Sequence, residues 1–232
     1  MSCRREFLRS IAVGAVAWTG SGLAQATPTG RPRWGIAIDV RLCVGCQSCT
    51  VSCALENRVP EGQYRTHAWT WEVKDANGRI GQSPLPQLCN HCEQPPCVEV
   101  CPADATFRSP EGVVLIDNDR CLGCGACAQA CPYGARYVNA EHGKVDKCNF
   151  CLHRVNAGLL PACVDSCVGG ARVFGDLDDP HSAVSRLLAA NKSQVHVLKP
   201  EAGTRPKVFY IGLDQALAAG QARPGLLTPA QA

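Results

Sequence analysis

The sequence predicts an α+β fold of short strands and short helices, built from two copies of one cysteine-bearing unit with an inserted hairpin region and a C-terminal extension. Three observations lead there. Of 17 cysteines in 232 residues, all but Cys3 fall into four groups of four. The surroundings of these groups repeat along the chain, which marks an internal duplication. Aromatic residues make up only 6% of the chain, so the interior is short of large rings, and the cysteines are the natural substitute as its cement. The formal charge of +3 points neither to a nucleic-acid binder nor to an acidic tail.

The first segment, residues 1–26, reads as an address. Arg4-Arg5 precede Phe7-Leu8, a mildly apolar stretch runs from Ile11 to Trp18, and small residues close it at Ala24-Gln25-Ala26. This resembles a twin-arginine export signal; an ordinary basic n-region is the alternative. The apolar stretch is too short to span a bilayer and is broken by Gly14, Gly20 and Gly22. A twin-arginine signal implies a periplasmic protein exported already folded, with its thiols protected from an oxidising compartment. Cys3 belongs to that signal.

Next comes an apolar run over Gly35–Val40, read as a strand feeding the first group: Cys43, Cys46, Cys49 and Cys53, spaced C-x2-C-x2-C-x3-C. The x3 step places Cys49 and Cys53 on one side of a short helical turn. Residues 54–88 read as an insertion with a hairpin about Asn77-Gly78, flanked by the His67–Val73 run. The second group is Cys89, Cys92, Cys97 and Cys101, spaced C-x2-C-x4-C-x3-C. A strand over Val113–Asp117 leads to the third, Cys121, Cys124, Cys127 and Cys131, with the spacing of the first. The fourth is Cys148, Cys151, Cys163 and Cys167, spaced C-x2-C-x11-C-x3-C. A strand near Ala171–Phe174, a helix over Ser182–Ala190, and strands over Val195–Leu198 and Lys207–Gly212 follow. The domain boundaries expected are a signal at 1–26, a cysteine-rich domain at 35–179, an extension at 180–214 and a flexible tail at 215–232.

The duplication shows in the flanks. Ile38-Asp39 precede Cys43 as Ile116-Asp117 precede Cys121; Cys89-Asn90-His91-Cys92 is echoed by Cys148-Asn149-Phe150-Cys151. The runs CPADATF from Cys101, CPYGARY from Cys131 and CVGGARV from Cys167 are similar.

A C-x2-C-x2-C loop wraps three corners of a cubane iron–sulfur cluster, and the cysteine three residues on turns away to ligate a neighbouring cluster, as in two-cluster ferredoxins. Pro102 and Pro132 supply the C-P ending of that pattern; Ala54 and Val168 stand there in the outer groups. Structural zinc uses paired knuckles across a longer span, which the fourth group alone would satisfy. Disulfide frameworks give no reason for x2-x2-x3 to recur.

The expected cofactors are therefore four [4Fe–4S] clusters on two ferredoxin-like units, with crossed ligation. The inner pair takes Cys89, Cys92, Cys97 and Cys131 for one cluster, and Cys121, Cys124, Cys127 and Cys101 for its partner. The outer pair takes Cys43, Cys46, Cys49 and Cys167, and Cys148, Cys151, Cys163 and Cys53. His91 stands between two ligands, yet with every group complete it is not expected to ligate. Arg120 and Lys147 each adjoin a ligand and read equally as charges that raise a cluster's potential or as solvated surface. His67 and His153 have no evident partner. No nucleophile, acid–base pair or phosphate loop emerges, so no catalytic residue is expected.

The four groups, in this order and spacing, resemble the four-cluster subunit of molybdopterin oxidoreductases of the dimethyl-sulfoxide-reductase type, over roughly Gly35 to Leu213. Some relatives carry Trp at the second position of the third group and hold a three-iron cluster; Cys124 stands there instead. The segments CVGCQSCTVSCALENRVPEGQYRT, AGLLPACVDSCVGGARVFGDLDDPHS and VLKPEAGTRPKVFYIGL are most similar to the branch serving tetrathionate. The resemblance implies a non-catalytic relay in anaerobic respiration, between a membrane-anchored quinol-oxidising subunit and a molybdopterin catalytic subunit that reduces tetrathionate to thiosulfate. Sibling complexes for thiosulfate, polysulfide, dimethyl sulfoxide, arsenate or nitrite are the alternative. Attachment to the membrane is then expected through a partner, without a span of the chain's own.

Overall fold

The computed structural model describes residues 30–74, 80–213 and 223–224. The expected signal at 1–26, the Asn77-Gly78 turn and most of the segment from 215 lie outside them. In sequence order, β1 (Trp34–Asp39) leads through one 3-10 turn to the first cysteine loop and to α1 (Ser48–Asn57). Then come β2 (Thr66–Lys74), β3 (Ile80–Leu88), the four-residue helix α2 (Pro96–Glu99), β4 (Thr106–Arg108) and β5 (Val114–Ile116). α3 (Ala126–Gln129), β6 (Tyr137–Val138), β7 (Val145–Asp146), α4 (Leu152–Val155) and α5 (Ala162–Asp165) follow. The last elements are β8 (Arg172–Asp176), α6 (Ala183–Ala190), β9 (Val195–His196), β10 (Val208–Ile211) and β11 (Arg223–Pro224). The molecule is a mixed α+β protein with small sheets and few helices.

The central sheet has the order β8-β1-β10-β9. β1 sits inside it, antiparallel to β8 and parallel to β10. Both faces of β1 are covered, one by α6 and the other by the core around Leu85, Leu88 and Phe150, which is why Trp34–Asp39 is apolar at nearly every position rather than alternating. Ala37 and Ile211 face α6, where Val184 covers them. Ile36, Ile38, Val208 and Tyr210 face the other way, toward Leu85, Leu88, Phe150 and Phe174. Because β10 enters between β1 and β9, the segment after the last cysteine group shares one sheet with the segment before the first.

The residues between the first and second groups form the antiparallel hairpin β2–β3, paired from Thr66↔Leu88 to Lys74↔Ile80. The sequence indicates a strand at His67–Val73 but not the whole of β3, which carries Pro84 and Pro86. Proline cannot donate to a ladder and survives in strands at an edge. β3 is such an edge in the order β11-β2-β3. Pro86 is also tied to the core, since its carbonyl accepts from the Tyr210 hydroxyl at 2.9 Å.

Candidate iron–sulfur sites

Four cavities in the described residues are each walled by four cysteines. Cys43, Cys46, Cys49 and Cys167 surround one. Cys53, Cys148, Cys151 and Cys163 surround a second. Cys89, Cys92, Cys97 and Cys131 share a third, and Cys101, Cys121, Cys124 and Cys127 a fourth. Each cavity thus gathers three cysteines from one sequence group and one from another. All sixteen described cysteines are free of disulfides. Among the described residues no three His, Cys, Asp or Glu side chains converge to chelate a single ion; the thiols ring a space instead of a point.

Topology delivers the distant cysteine in two cases through a strand ribbon. β1 runs into the Cys43 loop and pairs with β8, which leaves Cys167. β5 runs into the Cys121 loop and pairs with β4, which leaves Cys101. In both, pairing the strand before a loop with the strand after a remote cysteine brings that cysteine to the loop's cavity. Helical turns do the rest. α1 packs on α5 and α2 on α3, and the Ser52 and Ser166 hydroxyls meet at 2.7 Å between the first two. Each helix sends one cysteine to one cavity and, four residues on, another to its neighbour.

The loops need unusual backbone. Gly123 has φ +69, and a Cβ there would lie 2.1 Å from the Gly143 carbonyl oxygen. Gly169, two residues beyond Cys167, approaches the Leu42 carbonyl so closely that a Cβ would sit 2.3 Å from it. His91 and Phe150, equivalent in the repeat, both adopt positive φ, +44 and +56. Such conformations cost about 1–3 kcal/mol each in residues with a side chain. Their rings pack on one another with centroids 3.7 Å apart, a contact that offsets part of the strain.

Several of the buried thiols are held in their neutral form. Burial, then Cys163 and Cys151, push Cys53 up to about 12. Cys92 and Cys97 are both raised to about 11, chiefly by burial. Burial also raises Cys148 and Cys163. Buried thiols such as Cys53, Cys97 and Cys148 resist ionisation until something positive lies beside them. A cationic iron–sulfur core supplies that, so the donor set fits the cofactor the spacing predicts.

Buried cations add to the effect. Arg136, 6% exposed, donates to the Cys97 Sγ at 2.9 Å and to the Thr106 hydroxyl at 3.2 Å. Arg172, 3% exposed, donates to the Cys49 Sγ at 3.4 Å and to the Thr66 hydroxyl at 2.9 Å. Lys147 is buried as well, and its ammonium donates to the carbonyls of Val114 and Cys148. Of the two charges singled out from sequence, Lys147 is thus interior. Arg120 is surface, half exposed and 3.9 Å from an open Asp104.

Sequence reasoning misses both buried arginines. The signal is present: in CPYGARY and CVGGARV an arginine stands five residues after the last cysteine, but repetition alone does not say what that arginine touches. His91 is buried, and its Nδ1 accepts from the Val114 N–H at 3.1 Å; it lines none of the four cavities. His67 packs between Tyr64 and Trp69, and His153 meets Glu56 at 2.8 Å.

Comparison with known proteins agrees with this chemistry. A family profile described as a 4Fe-4S dicluster domain matches residues 82–177, a stretch that holds the second, third and fourth groups. The sequence is 48% identical to the B subunit of tetrathionate reductase from Salmonella typhimurium, covering 97% of this protein and 95% of that one. It is 45% identical to the B subunit of tetrathionate reductase from Archaeoglobus fulgidus, over 87% and 92% of the two proteins. The B component of polysulfide reductase from Wolinella succinogenes is 39% identical, over 77% and 94%.

Proposed function

The protein belongs to the family of iron–sulfur electron-transfer subunits that includes the B subunits of tetrathionate reductases, and from that membership we propose that it is the four-cluster relay of a tetrathionate-reducing complex. In this reading two ferredoxin-like units hold four [4Fe–4S] clusters by crossed ligation, in the four cysteine sets that wall the four cavities. The observation that carries the reading is that each cavity combines cysteines from two sequence groups, as the spacing predicts for paired clusters. Each bound cluster supplies a one-electron carrier, with a potential tuned by charge, hydrogen bonds and burial.

The residues of this protein order the sites. α1 carries Cys49 to the Cys43 cavity and Cys53 to the Cys148 cavity, so those two adjoin. α2 carries Cys97 to the Cys89 cavity, and Cys101 just beyond it reaches the Cys121 cavity, so those two adjoin. Between the pairs, Cys89 lies close enough to Cys148 to help raise it, and the His91–Phe150 stack fills the joint. The sequence of sites is Cys43, Cys148, Cys89, Cys121. Its two ends are the sites with an exposed thiol, Cys46 and Cys124. Exposed apolar side chains accompany both, Val44 and Val168 at one end, Leu122 and Phe107 at the other. A relay whose middle is sealed and whose ends open onto apolar surface suits two partners docking at opposite ends.

Those partners are a molybdopterin catalytic subunit that reduces tetrathionate to thiosulfate and a membrane-anchored subunit that oxidises quinol. The protein itself is non-catalytic, and no helix among the described residues is long and apolar enough to cross a membrane. The Arg4-Arg5 segment supports export by the twin-arginine route and a periplasmic site of action. A sibling complex for polysulfide, arsenate or nitrite is the second reading, favoured by the shared cluster loops alone.

The test is anoxic purification with the encoded partners. About sixteen irons per molecule are expected from four cubanes, together with re-oxidation of the dithionite-reduced protein by tetrathionate when the catalytic subunit is present. Re-oxidation by polysulfide or arsenate but not tetrathionate rejects the substrate assignment, and zinc without acid-labile sulfide rejects the relay.

A further inference from the structure

Arg136 and Arg172 occupy equivalent positions of the duplicated sequence, five residues after Cys131 and after Cys167. Both are buried, and both anchor on a threonine hydroxyl, Thr106 and Thr66 respectively. Arg136 touches Cys97 of the Cys89 site, and its partner Thr106 lines the cavity of the Cys121 site. Arg172 touches Cys49 of the Cys43 site, and its partner Thr66 lines the cavity of the Cys148 site. Each guanidinium therefore stands in the seam between two adjacent sites. One N–H on each is left over: Arg136 Nε and Arg172 Nη1 are fully buried with no partner among the described residues. Arg136 lines the Cys89 cavity and Arg172 the Cys43 cavity. A buried unpaired guanidinium N–H is costly, and donors left idle beside a thiol cage are placed to serve an acceptor inside it.

We infer that Arg136 and Arg172 are paired potential-setting bridges, each holding one fixed positive charge in the seam of its own pair, with an N–H fork that reaches one site at a thiol and borders the other through a threonine. A fully ligated oxidised cubane carries about −2, so two neighbours repel, and adding an electron to either worsens it. A guanidinium in the seam lowers that repulsion on both sides at once. Lysine at these points would reach only one neighbour, because its charge is compact and its donors radiate from a single atom. The duplication copied the device with the cysteines, so each pair has its own bridge and the pairs are tuned independently.

The inference rests on the four-cluster reading and is separable from it. In the wild-type holoprotein an electron-paramagnetic-resonance redox titration must first resolve four [4Fe–4S] midpoints; failure there rejects the relay. Given four, Arg136→Gln is expected to lower two midpoints and leave two in place, and Arg172→Gln to lower the other two, with iron content unchanged. The two sets should not overlap. Shifts in all four, in the same two for both variants, or in none overturn the inference. Should Arg136→Gln shed iron, Arg136→Lys keeps the charge without the fork; at least one midpoint of the same pair is expected to fall, and wild-type midpoints in that variant overturn the bridge.

Discussion

Cys131 follows α3 directly after its neighbours Cys121, Cys124 and Cys127, yet it lines the cavity of Cys89, Cys92 and Cys97. Proximity in sequence and proximity in space disagree at this residue, and the side chain's direction decides. Cys131→Ser is therefore expected to remove or convert the cluster of the Cys89 site while the Cys121 site keeps its spectrum. Loss confined to the Cys121 site would refute the crossed sets. The same logic separates two cations that look alike in the sequence. Lys147 turns inward to two carbonyls, whereas Arg120 turns outward to solvent. Adjacency to a ligand is legible from a string of letters; orientation is not. The arginines of CPYGARY and CVGGARV show the reverse case. Their repetition is visible in the sequence, but only burial, the threonine anchors and the thiol contacts reveal what they do.

Among the elements, the cysteine loops obey local rules closely, and so most of them can be read in advance. Gly123 lies between Cys121 and Cys124, where the loop must turn at φ +69 under the Gly143 carbonyl. Gly123→Ala adds a Cβ to that contact on top of about 1–3 kcal/mol of backbone strain. The expected outcome is a protein short by about one cluster's four irons, with the Cys121 site's signal lost and the Cys43 site's retained. Full iron content in that variant would show that the loop tolerates the shift. Strands are less legible than loops. β1, β5, β8, β10 and α6 fall where the apolar runs and the Ser182–Ala190 helix reading indicate; Ser182 caps α6 by accepting from the Ser185 N–H at 3.2 Å. β3 does not, because its place depends on pairing with β2 and on being an edge, and neither is written in IGQSPLPQL. β4 and the short ribbon β6–β7 are likewise products of pairing, too brief for any periodicity.

At the scale of the molecule, the apolar core of the described residues is divided into three clusters, and cysteines themselves belong to two of them. One of them is half thiol by residue: Cys97, Cys121 and Cys127 pack with Ala105, Val114 and Val145. A core of this kind has little hydrophobic area to set against chain entropy. Binding the cofactor and folding are then one process. Stripping iron with a chelator under anoxic, reducing conditions is expected to collapse far-UV circular dichroism and expose the protein to protease, with recovery on reconstitution by iron and sulfide. A stripped protein that kept its dichroism and its resistance would show a fold independent of the clusters.

Composition, the spacing of the cysteines and the repeat of their flanks were enough, by themselves, for the kind of cofactor and the α+β class, because a tight loop around a cube is a local requirement that spacing encodes. The order of the sites, the sealed joint at His91 and Phe150, the entry of β10 into the first sheet and the seating of Arg136 and Arg172 between neighbours came only from the tertiary structure. Each of these depends on which distant segments meet, and that is settled by the packing of whole faces against one another, a property no local stretch of sequence contains.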